Sequence, residues 1–595
     1  MKKNVLALSI AAMVGGFAGV AQAGVINAAA ALATGAVMGT NPETTPGTVA
    51  AAAAPLATAL EINPNRVGHM LVVPYYTAQN GNMSVIHLTN TDRANGKAVK
   101  VRFRGAANSD DVKDFQLYLS PGDVWTGAVL QGADGAAVLY SADNSCTVPA
   151  IPSTGTSFAT ARLNTATNVN GTREGYVEIF NMADIPSVQL YSATGAGAGA
   201  VNSNLYNAIK HNASGVAPCS VTGSAARTAL DNVALTNYTT AAAAAGIGFG
   251  LPTTGLTADW YILNLAQSTA FSGSATAVEA RAGAAGAAGA ANFVHFPQTD
   301  VGSGAFFSGA NTPADAFTAD PLLRQQAVNN ANAAAAGPAV TPLFIDLPDM
   351  STPYVTPMGA APADANLPKV QAAILTRALS RTTVANQFAL DAGINAATDW
   401  VFSMPTRRYS VAANYTVSPA TAAGYRLYSD LNTVQATAAT AVAGGNTSWF
   451  NPGNTRVDAR GNICVDAAGM RFFDRNEVTS GAAPIFSPAV AGTLSFCGET
   501  SVVSFSSQKV LGSSSDLTAL TMTAPYANGW SVVSVPNATT LVAGNMTAAQ
   551  PNGAGYAAGA TNLGLPVLGD AFIKLNNDSA GSGFKSTFGV TWAHR

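Results

Sequence analysis

The chain has 595 residues, which is enough for several domains or for one large β-sheet protein. Only 10% of its residues are Asp, Glu, Lys or Arg, far below the roughly 25% of an average soluble domain. Its formal net charge is −3, so the chain offers no excess of basic residues for phosphate groups. We therefore expect no nucleic-acid partner.

The first 23 residues predict a cleavable secretory signal. Lys2 and Lys3 give a positive start, and residues 5–20 form an apolar run. Residues 21–23 read Ala-Gln-Ala, a small-residue cleavage site before Gly24. The apolar run is short for a membrane span, and no later segment approaches 18 unbroken apolar residues. We expect a secreted protein of the cell surface or extracellular matrix, without a transmembrane segment after cleavage.

The four cysteines fall into an N-terminal and a C-terminal pair. Three connectivities are possible, and an oxidising compartment together with this grouping favours Cys146–Cys219 and Cys464–Cys497. Zinc binding is the alternative, although no C-x-x-C or H-x-x-x-H spacing occurs. We predict two disulfides.

Changes in residue composition divide the rest of the chain into four parts. Residues 24–62 form an Ala-rich tract that indicates an arm or linker. Strand patterns fill residues 63–300 and resume over residues 392–595. Residues 301–391 lie between these two β regions and carry helix signals.

Two helices are predicted in this connecting segment. The first has Asp320 as its N-cap, Pro321 at its first position and Gly337 as its stop. The second runs over residues 367–391. Helices therefore interrupt an otherwise β chain.

Short runs rich in Val, Ile, Tyr and Phe indicate strands, and turn sequences at residues 79–82 and 94–97 separate the first of them. Long Ala/Gly/Ser/Thr stretches at residues 193–250 and 271–291 are interpreted as surface insertions. The predicted fold class is mainly β, with antiparallel, sandwich-like β regions, a short helical insertion and low-complexity loops.

One strand shows a clear alternation of apolar and basic side chains. This pattern over residues 98–105 predicts one face in a core and the other in water. The alternating residues are Val99, Lys100, Val101, Arg102, Phe103 and Arg104.

No catalytic motif is present, since the chain lacks G-x-S-x-G, H-E-x-x-H and Walker sequences, and its five histidines are scattered. We expect no enzyme. Clustered acids make calcium the candidate cofactor, because Ca²⁺ prefers several oxygen ligands, with solvated turns as the alternative reading. The candidate ligands are Asp110, Asp111, Asp114, Asp346 and Asp349.

Asp-Trp combinations recur at Trp125, Trp260 and Trp400, each beside or within a predicted strand. Tryptophan buries a large area, so a core anchor with the acid in a turn is the favoured role. An exposed platform that stacks on sugar rings is the alternative.

Several blocks carry a family resemblance. They are VVPYYTAQNGNMSVIHLTNTD, KAVKVRFRGAANSDDVKDFQLYLSPGDVWTG, DLPDMSTPY, TDWVFSMPTRR and FFDRNE, within residues 67–141 and 346–477. These blocks resemble exported proteobacterial cell-surface proteins, some of which are regarded as surface-layer (S-layer) proteins. The resemblance implies a β-rich structural protein of the envelope or extracellular matrix.

The resulting expectation is a secreted structural protein that self-assembles into an S-layer-like or matrix component. Few charges lower the desolvation cost of contacts between copies. A monomeric adhesin that binds envelope glycans through aromatic platforms is the alternative hypothesis. An extracellular hydrolase is the third.

Overall fold

The computed structural model describes part of the chain. The described residues are 24–26, 28, 43–45, 48–49, 55–160, 163, 169–187, 204–236, 238, 240–282, 286–296, 298, 368–413, 418, 425–428, 449–450, 454–467, 469–476, 494–514, 516–519, 527–535, 564–577 and 586–595. The predicted helix at Asp320–Gly337 and the candidate ligands Asp346 and Asp349 lie outside them.

Most described elements are strands. Those of the first region are β1 (Gly24–Ile26), β2 (Glu43–Thr45), β3 (Thr48–Val49), β4 (Ala59–Ile62), β5 (Met70–Thr77), β6 (Met83–Asn90), β7 (Asn95–Gly105), β8 (Asp111–Leu119), β9 (Val124–Gln131), β10 (Ala137–Tyr140), β11 (Cys146–Val148), β12 (Thr156–Ser157), β13 (Glu174–Pro186), β14 (Leu256–Asn264), β15 (Thr269–Ser274), β16 (Thr276–Arg281) and β17 (Phe293–His295).

The second region contributes fifteen shorter segments. They are β18 (Ser380–Arg381), β19 (Thr383–Ala389), β20 (Ala397–Ser403), β21 (Val411–Ala413), β22 (Arg426–Tyr428), β23 (Thr455–Val457), β24 (Ile463–Asp466), β25 (Gly469–Asp474), β26 (Ser495–Cys497), β27 (Thr500–Ser504), β28 (Asp516–Ala519), β29 (Asn528–Ser534), β30 (Leu565–Pro566), β31 (Asp570–Asn577) and β32 (Ser586–Ala593).

Helices are few and short within the described ranges. The α-helices are α1 (Asn204–Ile209), α2 (Ala225–Leu235), α3 (Ala241–Gly246) and α4 (Pro368–Leu379), and 3-10 turns lie at Gln79–Gly81, Asn170–Thr172, Pro218–Ser220, Ala392–Ile394 and Arg407–Tyr409. The fold is therefore mainly β, as the sequence predicts.

Two antiparallel sheets form a sandwich in the N-terminal region. One has the strand order β12-β10-β9-β6-β14-β15, and the other has the order β11-β8-β7-β13-β5-β16-β4. The turn at residues 79–82 lies between β5 and β6 and so carries the chain from one sheet to the other. Asn80 and Gly81 have positive φ angles of 53° and 78° there, a conformation that Asn and Gly tolerate well. The strand β7 already begins at Asn95, however, so most of the second predicted turn is wrong.

A third layer covers the outer face of the seven-stranded sheet. Helices α1 to α3 pack there, with Ile209, Leu230 and Phe249 in the same apolar cluster as Tyr176 and Phe180 of β13. The interpretation of residues 193–250 as surface insertions is therefore wrong for their described part. The buried faces of these helices consist largely of alanine, so the sequence shows little periodicity of large apolar residues there. For this reason the sequence pattern does not reveal that the segment is buried.

The second stretch read as an insertion, residues 271–291, is also part of the fold. Its strands β15 and β16 pair with β14, β4 and β5. The ends of the Ala-rich tract at residues 24–62 join the sheets as well, because β1 pairs with β17 and β4 pairs with β16. The loose-arm interpretation is wrong for these two ends.

The C-terminal region has a core of its own between a five-stranded sheet, ordered β28-β27-β20-β31-β32, and smaller sheets. Trp400 and Phe402 of β20 meet Phe388 of β19 and Phe496 of β26 in that core. The helix predicted over residues 367–391 ends at Leu379, and β19 follows as a strand paired with β29. The alternating burial along β19 gives the physical reason, since only a strand buries every second residue.

The two β regions share a hydrophobic core. Val401, Val502 and Phe572 from the C-terminal region pack with Val101 and Trp260 from the sandwich. The regions are therefore not independent folding units joined by a linker.

Candidate functional site

Both predicted disulfides are present. Cys146 on β11 is bonded to Cys219 in the 3-10 turn before α2, and Cys464 on β24 is bonded to Cys497 on β26. Asp458 lies near the second pair in a potential metal-binding group, but both sulfurs there belong to the disulfide. The zinc alternative is therefore wrong.

The three Asp-Trp tryptophans lie in the core. Trp125, Trp260 and Trp400 are 1%, 2% and 0% exposed. Gly273 is opposite Trp260 in the ladder, where an added Cβ would lie 2.4 Å from the indole ring, so the ring needs a glycine partner. These rings cannot serve as exposed platforms, and the adhesin hypothesis loses the residues on which it was based.

The basic side chains of β7 are buried, which overturns the predicted water-facing side of this strand. Lys100, Arg102 and Arg104 are at most 1% exposed. Gln298 accepts from Lys100 and Phe296 packs on Arg102, while the segment after β20 reaches the acid that pairs with Arg104. Isolated charges would be costly there, so each must find compensation. Neighbouring strands supply the acids, as their register on either side of β7 shows.

Two of the candidate calcium ligands belong to this buried array. Lys100 Nζ lies 3.0 Å from Asp114 Oδ1, and Gln298 donates to the same oxygen at 2.6 Å. Burial alone would raise the pKa of Asp114, but the charges of Lys100 and Arg102 hold it well below its usual value. Asp111 Oδ2 lies 3.9 Å from Arg104.

This arrangement is unfavourable for binding Ca²⁺. Asp110 is buried beside these acids, yet a cation bound there would share its ligands with a lysine and an arginine. Like charges in a low-dielectric interior repel strongly. Asp111 and Asp114 therefore act in the fold's own ion pairs.

The buried charges also connect the two β regions. Glu178 of β13 lies 3.3 Å from Arg104 and 2.7 Å from Arg408, which follows β20. Glu174, on the same strand, accepts hydrogen bonds from Tyr75 at 2.9 Å and from Ser513 at 2.7 Å. Salt bridges and hydrogen bonds therefore fix how the regions meet.

A cleft of about 820 Å³ opens between the regions at another place. Its N-terminal wall comes from residues 62–66 and from strands β14 to β16. Its C-terminal wall comes from the start of β31, the end of β32 and Arg381. This volume lies in the range of ligand sites, roughly 300–1,000 Å³.

Three residues that line the cleft carry buried polar atoms without a hydrogen-bond partner among the described residues. These atoms are Asp570 Oδ2, Thr591 Oγ1 and Trp260 Nε1. Buried polar groups are nearly always paired in native proteins, so each such atom calls for a partner such as water or a ligand. Asp570 is 4% exposed, and burial raises the pKa of its carboxyl to about 7.

His594 lines the same cleft but has a structural role. Its Nδ1 accepts from Asn386 at 2.9 Å, and its Nε2 donates to the carbonyl of Val401 at 2.8 Å. Burial lowers the pKa of this imidazole to about 3. His594 is therefore neutral at physiological pH.

The rim of the cleft is polar and mixed in charge. Arg66 donates to Ser274 Oγ at 2.7 Å, and Ser274 donates to Asp259 at 2.5 Å. Arg381 donates to the carbonyl of His594 at 3.0 Å. Arg595 lines the opening as well, so guanidinium groups outnumber the acids there.

A smaller groove of about 180 Å³ shares Trp592 with the cleft. Trp592 is 42% exposed, and Trp530 in the groove is 43% exposed. Phe473 stacks on Trp530 with ring centroids 4.0 Å apart. Gln387 and Asn386 complete the groove with amide groups.

No sequence pattern predicts this cleft. Asp570, Thr591 and Trp260 come from three separate strands, and no motif spacing links them. Phe588, Val590 and Trp592 alternate along β32, and the structure leaves Phe588 and Trp592 exposed.

No protein-family model, curated protein or solved structure matches the chain. Among the described helices, none has the length and hydropathy of a membrane span. Two disulfides are compatible with an extracellular protein.

Proposed function

We propose that the chain is an exported structural protein of the bacterial cell surface that associates with copies of itself in an S-layer-like or matrix assembly. The secretory signal, the two disulfides and the resemblance of the N-terminal blocks to exported surface proteins support export and location.

The observation that carries the assembly proposal is the burial of charge. A chain with only 10% charged residues places many of them inside, which leaves an exterior with still fewer charges to desolvate on contact. Among the described residues, the buried charged side chains are Lys97, Lys100, Arg102, Arg104, Asp110, Asp111, Asp114, Glu174, Glu178, Asp184, Glu279, Asp399, Arg407, Arg408, Asp474, Glu499 and Asp570.

Two large apolar side chains mark a surface for contact between copies. Leu265, in the turn after β14, is 83% exposed, and Phe588 on β32 is 60% exposed. Lys574 of β31 donates a hydrogen bond of 2.9 Å to Gln267 in this turn. In the ladder between β31 and β32, Lys574 lies opposite Gly589, the residue that follows Phe588. Leu265 therefore lies in a turn that is bonded to β31, and Phe588 lies on the strand paired with β31.

Negative-stain microscopy of the purified mature protein, with and without Ca²⁺, tests the proposal. Ordered sheets or fibres that grow with protein concentration are the expected result. A particle that stays monomeric in sedimentation at every concentration and forms no ordered assembly under either condition would contradict it.

A further inference from the structure

The strand β7 carries two buried lysines, and each lies beside one aspartate. Lys97 Nζ is 2.7 Å from Asp184 Oδ1, and Lys100 Nζ is 3.0 Å from Asp114 Oδ1. Both lysines are cut off from water, since their side chains are 0% and 1% exposed. An amine and a carboxyl group held this close can condense to an amide, because the fold supplies the proximity that two separate molecules lack.

The Lys97 pair differs from the Lys100 pair in having a second acid at its amine. Asp184 on β13 lies directly opposite Lys97 in the ladder with β7. Asp92, in the turn before β7, places Oδ2 3.2 Å from the same Nζ. A carboxylate in this position can take a proton from the amine as a general base. An amine, a carboxyl group and a base therefore meet at one point.

The carboxyl group of Asp184 is surrounded by hydrogen-bond donors. Asn181 Nδ2 and the main-chain N–H of Thr253 donate to Oδ1 at 3.0 and 3.2 Å. These two groups can stabilise the negative charge that develops on Oδ1 when an amine attacks the carboxyl carbon. The Thr253 hydroxyl donates to Oδ2 at 2.5 Å and accepts from Lys97 at 3.0 Å. It therefore connects the amine to the oxygen that would leave.

The two aspartates also differ in ionisation. Burial raises the pKa of Asp184, although the charge of Lys97 opposes this shift. At Asp114 burial is outweighed by the charges of Lys100 and Arg102, which hold the pKa well below its usual value. An amine attacks a carboxylic acid more readily than a carboxylate, because the carboxylate already carries the negative charge. The Asp184 pair is therefore the reactive one.

We propose that Lys97 and Asp184 form an intramolecular isopeptide bond between β7 and β13, with Asp92 as the general base. A bond forms between Nζ and the carboxyl carbon of Asp184, and the bond from that carbon to Oδ2 breaks. Nζ gives up two protons, one through the Thr253 hydroxyl and one through Asp92. Both protons leave with Oδ2 as water, so Asp92 ends as it began and no co-reactant is consumed.

The surroundings also suit the product. The former Oδ1 becomes the amide oxygen and keeps Asn181 and Thr253 as donors, and the carbonyl of Thr254, 3.2 Å from Nζ, can accept from the amide N–H. A neutral amide then replaces a buried ion pair, whose desolvation is costly. The bond links two strands across 87 positions of the chain, which restricts the unfolded state. It does not depend on assembly.

Peptide mapping of the full mature protein tests the proposal, because trypsin does not cleave after an acylated lysine. After reduction of the disulfides, we expect one branched peptide that joins residues 94–100 to residues 174–210 and has lost the mass of one water. Its end at Lys100 is an internal control, since cleavage there shows that this lysine keeps a free amine. Separate peptides of residues 94–97 and 174–210 would overturn the proposal. A link from Lys100 to the peptide of residues 114–162 would overturn the choice between the two pairs.

Asp92→Asn separates the chemistry from the fold. Asparagine keeps an oxygen for the main-chain N–H groups of its turn, to which Asp92 Oδ1 is bonded, but cannot take a proton from Lys97. Bond formation should slow by roughly a hundredfold or more, measured as the cross-linked fraction in samples digested at increasing times after synthesis. Asp134→Asn is the matched control, because Asp134 is bonded in the same way to Ala136 in the turn after β9. It should cross-link as the native protein does.

A cross-linked fraction in Asp92→Asn that equals the native fraction at every time would remove Asp92 from the reaction. The unfolding temperature of each variant shows whether it is folded. If Asp92→Asn does not fold, the peptide map of the native protein still decides whether the bond exists. Lys97→Met, which has no amine, should release the unmodified peptide of residues 174–210 and confirms the identity of the link.

Discussion

Asp570 is a residue whose ionisation the fold opposes. Burial raises the pKa of its carboxyl from 3.8 to about 7. Between these pH values the unfolded chain releases the proton while the folded chain keeps it, so this group makes the free energy of unfolding fall as pH rises.

Asp570→Asn should remove this pH dependence, since an amide does not titrate. The variant's stability relative to the native chain should rise by roughly 4 kcal/mol from pH 4 to pH 8. Denaturant titrations at the two pH values measure this change, and Asp259→Asn, at an exposed site on β14, is the control. If the difference in free energy of unfolding between Asp570→Asn and the native chain were the same at pH 4 and pH 8, the raised pKa of Asp570 would be contradicted.

Glu178 gives a second prediction at this scale, because it pairs with arginines of both β regions. Glu178→Gln should lower the free energy of unfolding by roughly 3–5 kcal/mol, since Arg104 and Arg408 then lose a buried counter-charge. The control is Asp466→Asn, whose partner Arg456 lies at the same 3.3 Å but is 50% exposed. Chemical denaturation should show that Asp466→Asn lowers the free energy of unfolding by less than about 1 kcal/mol. If both variants lowered it equally, the buried ion pairs of Glu178 would contribute no more than an exposed pair.

The charged residues of β7 also show how far a local pattern can be trusted. Alternation correctly predicts a strand in which Val101 and Phe103 face a core. It cannot tell whether the other face meets water, because the acids that pair with Lys100 and Arg104 lie on other strands. The segments that cover them, at Phe296, Gln298 and Arg408, lie more than 190 positions later in the chain.

At the scale of elements, strands with β-branched and aromatic residues were predictable, whereas the short helices were not. Residues 204–246 contain few large apolar side chains, so their helical faces give weak periodicity. The same limit applies to the cleft, whose walls come from strands far apart in the chain. Contacts between segments far apart in the chain determine both the packing of the helices and the walls of the cleft, and local sequence patterns do not show such contacts.

The Cys146–Cys219 disulfide attaches the helical layer to the edge strand β11. Its replacement by two alanines should lower the free energy of unfolding by about 3–4 kcal/mol, because a loop of 73 residues is freed in the unfolded chain. Equilibrium denaturation checks this value. An unchanged midpoint, with oxidised cysteines in the native sample, would show that the bond contributes nothing.

The turn after β14 and strand β32 give the prediction for assembly. Leu265→Ser combined with Phe588→Ser should raise the concentration at which assemblies form about tenfold or more, because two exposed apolar contacts are lost. Val221→Ser, at an exposed valine beside the helical layer, is the control. Sedimentation over a concentration series measures the effect, and equal assembly of all three proteins would place the contact elsewhere.

At the scale of the whole molecule, one core joins both β regions, and buried ion pairs cross between them. A particle that buries many of its charged side chains suits the proposed packing of copies side by side. The division into separate β regions, expected from sequence, fits the order of strands along the chain. It does not describe how they pack.

Electron cryotomography of the producing bacterium, with and without the gene for this chain, tests the proposed surface role most directly. The account predicts a regular outer layer or matrix that disappears with the gene and returns when the gene is restored. An unchanged surface in the deletion strain, or native protein retained in the cytoplasm, would contradict it.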